Sequence, residues 1–134
     1  MRTGRSRQTQ IKICGLTKPE QALSCVKMGA DLIGLNCWNG SSRYIIPEII
    51  SEIVSELPES ARTVGVFVNE SPDSINNLMK QTSMDLVQLH GDEDVETCEK
   101  LEFPWFKAFR VSPKFKMSLI KHYKQETFLV DAYS

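Results

Sequence analysis

Residues 63–90 have the sequence TVGVFVNESPDSINNLMKQTSMDLVQLH. Two short apolar runs, residues 63–68 and 84–90, flank a polar segment in which Pro72 suits the first turn of a helix. Both runs are rich in branched and apolar residues, as expected of strands that are buried on both faces. The stretch therefore predicts a strand, a helix and a second strand, which is the repeating unit of a parallel sheet.

The same alternation continues in both directions along the chain. Further apolar runs that predict strands cover residues 11–14, 31–36, 105–109 and 127–131. Helical spacing of apolar residues between them occurs at Ala22, Cys25, Val26 and Gly29, and again at Ile50, Ile53, Val54 and Leu57. Additional helix-start signals are Thr17 with Glu20, Pro47, Asp92 and Pro113. The sequence thus predicts five βα units followed by a sixth strand.

Two architectures fit this α/β alternation, an open doubly wound sheet of five or six strands and part of a (βα)8 barrel. The chain has 134 residues, whereas a barrel typically needs about 250, so length alone favours the open sheet. The chain ends three residues after the last predicted strand, which is unusual for a complete domain. We predict a frayed basic N-terminus at residues 1–10 and one domain at residues 11–134.

Composition excludes several classes of protein. Sixteen basic and seventeen acidic residues give a net charge of -1, which offers no overall electrostatic case for binding nucleic acid. No apolar run approaches the ~20 residues of a membrane-spanning helix, and no apolar signal segment follows the basic start. The four cysteines form no CxxC pair, and two histidines are too few for a three-histidine metal site. We therefore predict a cytoplasmic protein with free thiols that binds neither metal nor membrane.

Three chemically reactive side chains fall at the ends of predicted strands. Cys14, His90 and Asp131 are each the last strand residue before a loop, and Gln88 shares a strand face with His90. Taken singly, each has an ordinary structural explanation, such as a buried thiol, a hydrogen-bonded histidine or a helix cap. Because ligands bind at the carboxyl ends of strands in parallel α/β folds, the three together predict an active site there.

Seven blocks of residues are similar, in order and spacing, to those of the phosphoribosylanthranilate isomerase family. They are Ile13-Cys14-Gly15-Leu16-Thr17, Gly29-Ala30-Asp31, Ser42-Arg43-Tyr44-Ile45, Val64-Gly65-Val66-Phe67, Val87-Gln88-Leu89-His90-Gly91, Lys107-Ala108-Phe109 and Leu129-Val130-Asp131. The resemblance implies a (βα)8 TIM barrel fold and an isomerase of tryptophan biosynthesis that uses no cofactor. It outweighs the preference for an open sheet that rests on length.

The resemblance extends from about Ile11 to the end of the chain and covers only the first six strands of a barrel. It therefore implies an incomplete barrel of about six strands and five helices, truncated before the glycine-rich phosphate-binding loops of strands seven and eight. We expect activity to require a complementing C-terminal segment, and we expect poor solubility or self-association of the chain alone because its first and sixth strands are unpaired edges. The implied partner is a small phosphorylated substrate.

The resemblance also implies roles for five residues. The reaction is an Amadori rearrangement of N-(5-phosphoribosyl)anthranilate to 1-(2-carboxyphenylamino)-1-deoxyribulose 5-phosphate. By resemblance, Asp131 is the general acid and Cys14 the general base. Arg43 corresponds to the residue that binds the anthranilate carboxylate, for which a bidentate guanidinium is well suited. Gln88 and His90 correspond to hydrogen-bonding residues near the substrate.

Two other functions remain open at this point. A non-catalytic remnant or interaction module would keep the βα pattern without binding substrate. A flavodoxin-like binding domain would have an open five-stranded sheet with its ligand at a topological switch point.

Overall fold

The computed structural model of the chain describes residues 9–132, so the frayed terminus predicted at residues 1–10 lies almost entirely outside it. Strands and helices alternate strictly along the described residues. The strands are β1 (Lys12–Cys14), β2 (Leu32–Asn36), β3 (Arg62–Phe67), β4 (Leu86–Leu89), β5 (Trp105–Val111) and β6 (Phe128–Ala132). The helices are α1 (Pro19–Lys27), α2 (Pro47–Glu56), α3 (Pro72–Thr82), α4 (Val95–Glu99) and α5 (Met117–His122).

All six strands are parallel, and their order in the sheet is the order in the chain, β1 to β6. A doubly wound sheet would reverse its strand order at a switch point. The observed order is that of a (βα) barrel, so the barrel prediction of six strands and five helices is confirmed and the preference for an open sheet is wrong. The length argument failed because it compared the chain with a full barrel of eight strands, whereas the six strands present already have barrel order.

Helix starts follow the prolines more often than the polar capping signals. Pro47 and Pro72 occupy the first turns of α2 and α3, as predicted. The Thr17 and Glu20 capping box is wrong, because α1 begins at Pro19 without a side-chain cap. Two other predicted starts are also wrong, since Asp94 rather than Asp92 caps α4, and α5 begins at Met117, four residues after Pro113. No helix in the described part of the chain is both long and apolar enough to cross a bilayer.

The two faces of the sheet have different roles. The outward face packs against the helices and forms the hydrophobic core, in which Ile33, Leu35, Phe67 and Leu89 are fully or almost fully buried. On the opposite face, register partners on neighbouring strands lie side by side. They include Cys14 beside Gly34, Asn36 beside Val66, Val66 beside Gln88, and Arg110 beside Asp131. This inner face carries the polar residues that the sequence placed at strand ends.

Candidate active site

Cys14 is the last residue of β1, and its side chain is exposed at the carboxyl edge of the sheet. It lies over Gly34, where an added Cβ would be 2.7 Å from Cys14 Sγ and 3.0 Å from Lys12 Nζ. Both side chains therefore occupy the space that a larger residue at position 34 would fill. The sequence brings a thiol and an ammonium group together on the inner face because residues 12 and 14 share the same strand parity.

Arg43 lies in the loop between β2 and α2, close to the end of β1. Its guanidinium Nη1 donates to the carbonyl of Gly15 at 3.1 Å. Gly15 has φ +86, and a Cβ there would lie 3.0 Å from Arg43 Nη1, so glycine suits both the backbone angle and the close approach. The hydroxyl of Ser41 accepts from the backbone N–H of Arg43 at 3.0 Å, which fixes the loop locally.

Gln88, His90 and Asp131 form a hydrogen-bonded chain across the inner face. Gln88 Nε2 lies 2.7 Å from His90 Nδ1, and His90 Nε2 lies 3.0 Å from Asp131 Oδ2. Because an amide nitrogen only donates, Nδ1 accepts and the imidazole proton resides on Nε2, from which it is donated to the Asp131 carboxylate. The carbonyl oxygen of Gln88 is buried and has no partner among the described residues.

A cleft of about 310 Å³ opens over this face at the carboxyl ends of the strands. Cys14, Gln88 and His90 line the cleft, as does Arg110. Asp131 joins the group through its hydrogen bond to His90, with its side chain 46% exposed. Arg43 does not line the cleft and instead lies above Gly15. Four of the five residues predicted from the sequence are therefore in or directly bonded to one cleft, and the fifth is at the loop beside it.

Sequence reasoning missed Arg110. The predicted strand stopped at residue 109, whereas β5 continues to Val111 and makes Arg110 the register partner of Asp131. Extending the strand by two residues and applying the alternation of faces would have found Arg110.

Sequence reasoning also missed a buried ion pair between Lys107 and Glu93, although a lysine within an apolar strand is itself a signal for a buried partner.

The thiols differ sharply in their surroundings. Cys37 is buried, and desolvation raises the pKa of its thiol to about 12. Cys98 is fully buried, and desolvation raises its pKa to about 11. Cys14 is the exposed thiol of the set. Within residues 9–132, no three histidine, cysteine, aspartate or glutamate side chains form a group that could hold a metal ion.

Comparison with known proteins identifies the family to which these features belong. The family model described as N-(5'-phosphoribosyl)anthranilate (PRA) isomerase matches residues 11–134. The chain belongs to the phosphoribosylanthranilate isomerase family. It is 42% identical over 125 residues to N-(5'-phosphoribosyl)anthranilate isomerase of Trichlorobacter lovleyi, covering 93% of this chain and 61% of that protein. The corresponding enzyme of Geobacter sulfurreducens is also 42% identical over 125 residues, with 93% and 62% covered.

Solved structures of phosphoribosylanthranilate isomerases have the same fold. The enzyme of Thermotoga maritima superposes with a TM-score of 0.90 at 38% identity, covering 95% of this chain and 63% of that one. A phosphoribosylanthranilate isomerase in complex with reduced 1-(o-carboxyphenylamino)-1-deoxyribulose 5-phosphate superposes with a TM-score of 0.89 at 38% identity, with 95% and 66% covered. The chain spans about three fifths of the length of the curated relatives it matches.

Proposed function

We propose that this chain acts in phosphoribosylanthranilate isomerisation, the Amadori rearrangement of an aminoaldose phosphate to an aminoketose phosphate. The proposal rests on the placement of two side chains at one cleft. They are the exposed thiol of Cys14 and the carboxylate of Asp131, which is hydrogen-bonded to His90. The reaction needs one group that gives a proton and another that takes one. Membership of the family and the product-analogue complex of a relative support the same reaction.

Asp131 serves as the general acid in this proposal. It gives a proton to the ring oxygen of the sugar, the bond between C1 and that oxygen breaks, and the open-chain iminium forms. The proton transfer leaves a carboxylate, to which His90 Nε2 donates a hydrogen bond over 3.0 Å. His90 therefore stabilises the state that follows proton donation, because hydrogen bonds to a charged acceptor are the strong ones.

Cys14 serves as the general base. Its thiolate takes the proton from C2 of the iminium, the electron pair moves into the C1–C2 bond, and the resulting enolamine tautomerises to the ketone. The thiol is exposed at the cleft rather than buried in the core like Cys37 and Cys98, so it is available to substrate. An activated cysteine needs this combination of access and nearby positive charge, and the ammonium group of Lys12 lies over the same glycine, Gly34, as the Cys14 sulfur.

Arg43 and Gln88 bind substrate in the proposal. Arg43 offers a planar guanidinium to the anthranilate carboxylate beside Gly15. Gln88 lines the cleft and its buried carbonyl oxygen has no partner among the described residues, so a small shift of the amide on substrate binding would let this oxygen accept from a substrate hydroxyl or amine. His90 holds the amide of Gln88 in the orientation that leaves this oxygen free.

The proposed setting is the cytoplasm, and the proposed partners are further strands that pair with β1 and β6. Within residues 9–132, each of these two strands has a neighbour on one side only. Strands supplied by a second copy or by a complementing segment would satisfy both edges.

The deciding experiment is a fluorescence-monitored isomerase assay of the chain alone and of the chain mixed with the C-terminal two fifths of a relative. We expect turnover in the mixture, and its loss in Cys14→Ala and in Asp131→Ala. Cys25→Ala is the matched control, because Cys25 lies on α1 away from the cleft, and it should retain activity. Absence of turnover and of substrate binding in both arms would reject the proposal in favour of a non-catalytic module.

A further inference from the structure

Lys107 lies on the outward face of β5, away from the cleft. Its register partner is Leu89, a residue of the hydrophobic core, and its own side chain is 5% exposed. The ammonium nitrogen donates to Glu93 Oε1 at 3.0 Å and to the carbonyl oxygens of Gly91 and Ala108. An ammonium group has three N–H donors, so its full hydrogen-bonding capacity is used within the protein.

Glu93 organises the loop that follows β4. Its carboxylate accepts from the backbone N–H of Asn69 at 2.8 Å and from that of Gly91 at 3.0 and 3.2 Å, in addition to Lys107. Its backbone carbonyl accepts from the hydroxyl of Tyr123 at 2.7 Å. Burial raises the pKa of Tyr123, which keeps this donor protonated. The loop is therefore tied to the residues after β3, to β5 and to the end of α5.

Stability alone does not account for this buried ion pair. Removing two charges from water is costly, and an apolar pair of similar volume is often as stable or more stable. An apolar pair would, however, leave the N–H and the C=O of Gly91 without the partners that Glu93 and Lys107 provide. The loop is also packed closely, since a Cβ at Gly91 would lie 2.6 Å from Asn69 Oδ1.

Gly91 directly follows His90, the residue that contacts Gln88 and Asp131. The backbone N–H of His90 donates to the carbonyl of Phe67 at 2.8 Å. The backbone around His90 is thus held by β3 on one side and by the Lys107–Glu93 pair on the other. We propose that Lys107 and Glu93 are positioning residues, which fix the backbone that orients the His90 imidazole between Gln88 and Asp131. This inference rests on the function proposed above, in which His90 acts on Asp131.

The test is nitrogen NMR of the imidazole of His90 in the full chain, without substrate. In the wild-type chain we expect the single tautomer that carries its proton on Nε2. The double variant Lys107→Met with Glu93→Gln keeps the approximate volume of the pair but removes its charges. It should remain folded while the His90 shifts move towards those of His122, the other histidine of the chain, which is exposed at the end of α5. Melting and circular dichroism check the fold.

The matched control is Lys80→Met with Glu102→Gln, the same substitutions in an exposed ion pair of 2.8 Å, and it should leave His90 unchanged. If the double variant does not fold, Tyr123→Phe tests the inference instead, because it removes only the hydroxyl bonded to Glu93. In Tyr123→Phe we expect the His90 nitrogen shifts to change in the same direction by a smaller amount. Three results would each overturn the inference. They are unchanged His90 shifts in the folded double variant, a change in the control as large as that in the double variant, and a proton on Nδ1 in the wild-type chain. A shift in the double variant, together with no turnover and no substrate binding by the wild-type chain either alone or in the mixture, would uphold the positioning role and reject only the isomerase proposal.

Discussion

At the scale of single residues, Gly34 determines the space that the Cys14 side chain occupies. The two residues are register partners on β2 and β1, and the Cys14 sulfur and the Lys12 ammonium both lie over the glycine. A side chain at position 34 would compete with both groups for this space. The conformational freedom of glycine is not the reason for its presence here, because its role is to have no Cβ.

We expect Gly34→Ala to lower kcat by roughly 10²-fold, the effect of displacing a reacting group by about 1 Å. The new Cβ would lie 2.7 Å from Cys14 Sγ, so the sulfur must move. The measurement is the isomerase assay of the mixture. Gly65→Ala is the control, because its Cβ meets Met84 and Phe67 at 2.9 Å on the outward face. Gly65→Ala should lower the free energy of unfolding but leave kcat unchanged. An undiminished kcat in Gly34→Ala would disprove the steric role.

The buried thiol of Cys37 predicts a loss of stability in alkali. Its pKa is about 12 in the fold against an ordinary value of 9.0. Between these values the native state binds more protons than the unfolded state, so the free energy of unfolding falls as pH rises. Cys37 contributes up to about 1.4 kcal/mol per pH unit to this fall.

Urea unfolding between about pH 8 and about pH 10 measures the effect. In Cys37→Ala the free energy of unfolding should fall less steeply with pH than in the wild-type chain. The substitution also removes packing contacts, but that loss is the same at every pH and does not change the slope. Cys25→Ala serves as the matched control because Cys25 is only partly buried, and its pH dependence should parallel that of the wild type. Parallel curves for all three proteins would refute the assignment.

At the scale of elements, α3 depends on its N-terminal cap. The hydroxyl of Ser71 accepts from the backbone N–H of Ser74 at 3.2 Å, and Pro72 occupies the first turn. We expect Ser71→Ala to lower the free energy of unfolding by about 1 kcal/mol, since the first-turn N–H loses its acceptor. Chemical denaturation measures this value. Ser24→Ala within α1, where the exposed serine caps nothing, should be neutral, and an equal loss in both variants would argue against a capping effect.

The local sequence pattern was sufficient to locate the strands but not to locate every helix start. All six predicted strands lie within two residues of the observed ends, because a buried parallel strand leaves an apolar run between polar segments. Asp92 and Asp94 are both acceptable caps by residue type, and only the fold selects Asp94, whose carboxylate accepts from the backbone N–H of Thr97. Helix boundaries therefore remained ambiguous where several polar residues compete.

The candidate site was predictable to the extent that it follows from strand parity. Cys14, Gln88, His90 and Asp131 were found because each lies at or near a strand end on the inner face. The hydrogen bonds among these residues could not be predicted from the sequence, since the contact of His90 with Asp131 joins residues 41 positions apart. The Lys107–Glu93 pair was missed for a similar reason, because Glu93 lies in a loop where no periodicity indicates burial.

At the scale of the whole molecule, the described sheet has two edge strands, β1 and β6. Apolar side chains at these edges are accessible, with Ile11 48% exposed beside β1 and Val130 53% exposed on β6. Unpaired strand edges with apolar side chains promote association between chains. We therefore expect the chain alone to associate in a concentration-dependent manner, as sedimentation velocity at several concentrations would reveal.

Val130→Lys should shift this association towards monomer, because a charge on the edge strand opposes pairing with another chain. Ile46→Lys is the matched control, since Ile46 is an exposed apolar residue at the start of α2, the helix between the interior strands β2 and β3, and it should associate like the wild type. The same edge should be covered when the C-terminal part of a relative is added, so the wild-type mixture should sediment as a single complex of defined size. A wild-type chain that stays monodisperse and monomeric at high concentration would show that the two edges are protected in another way.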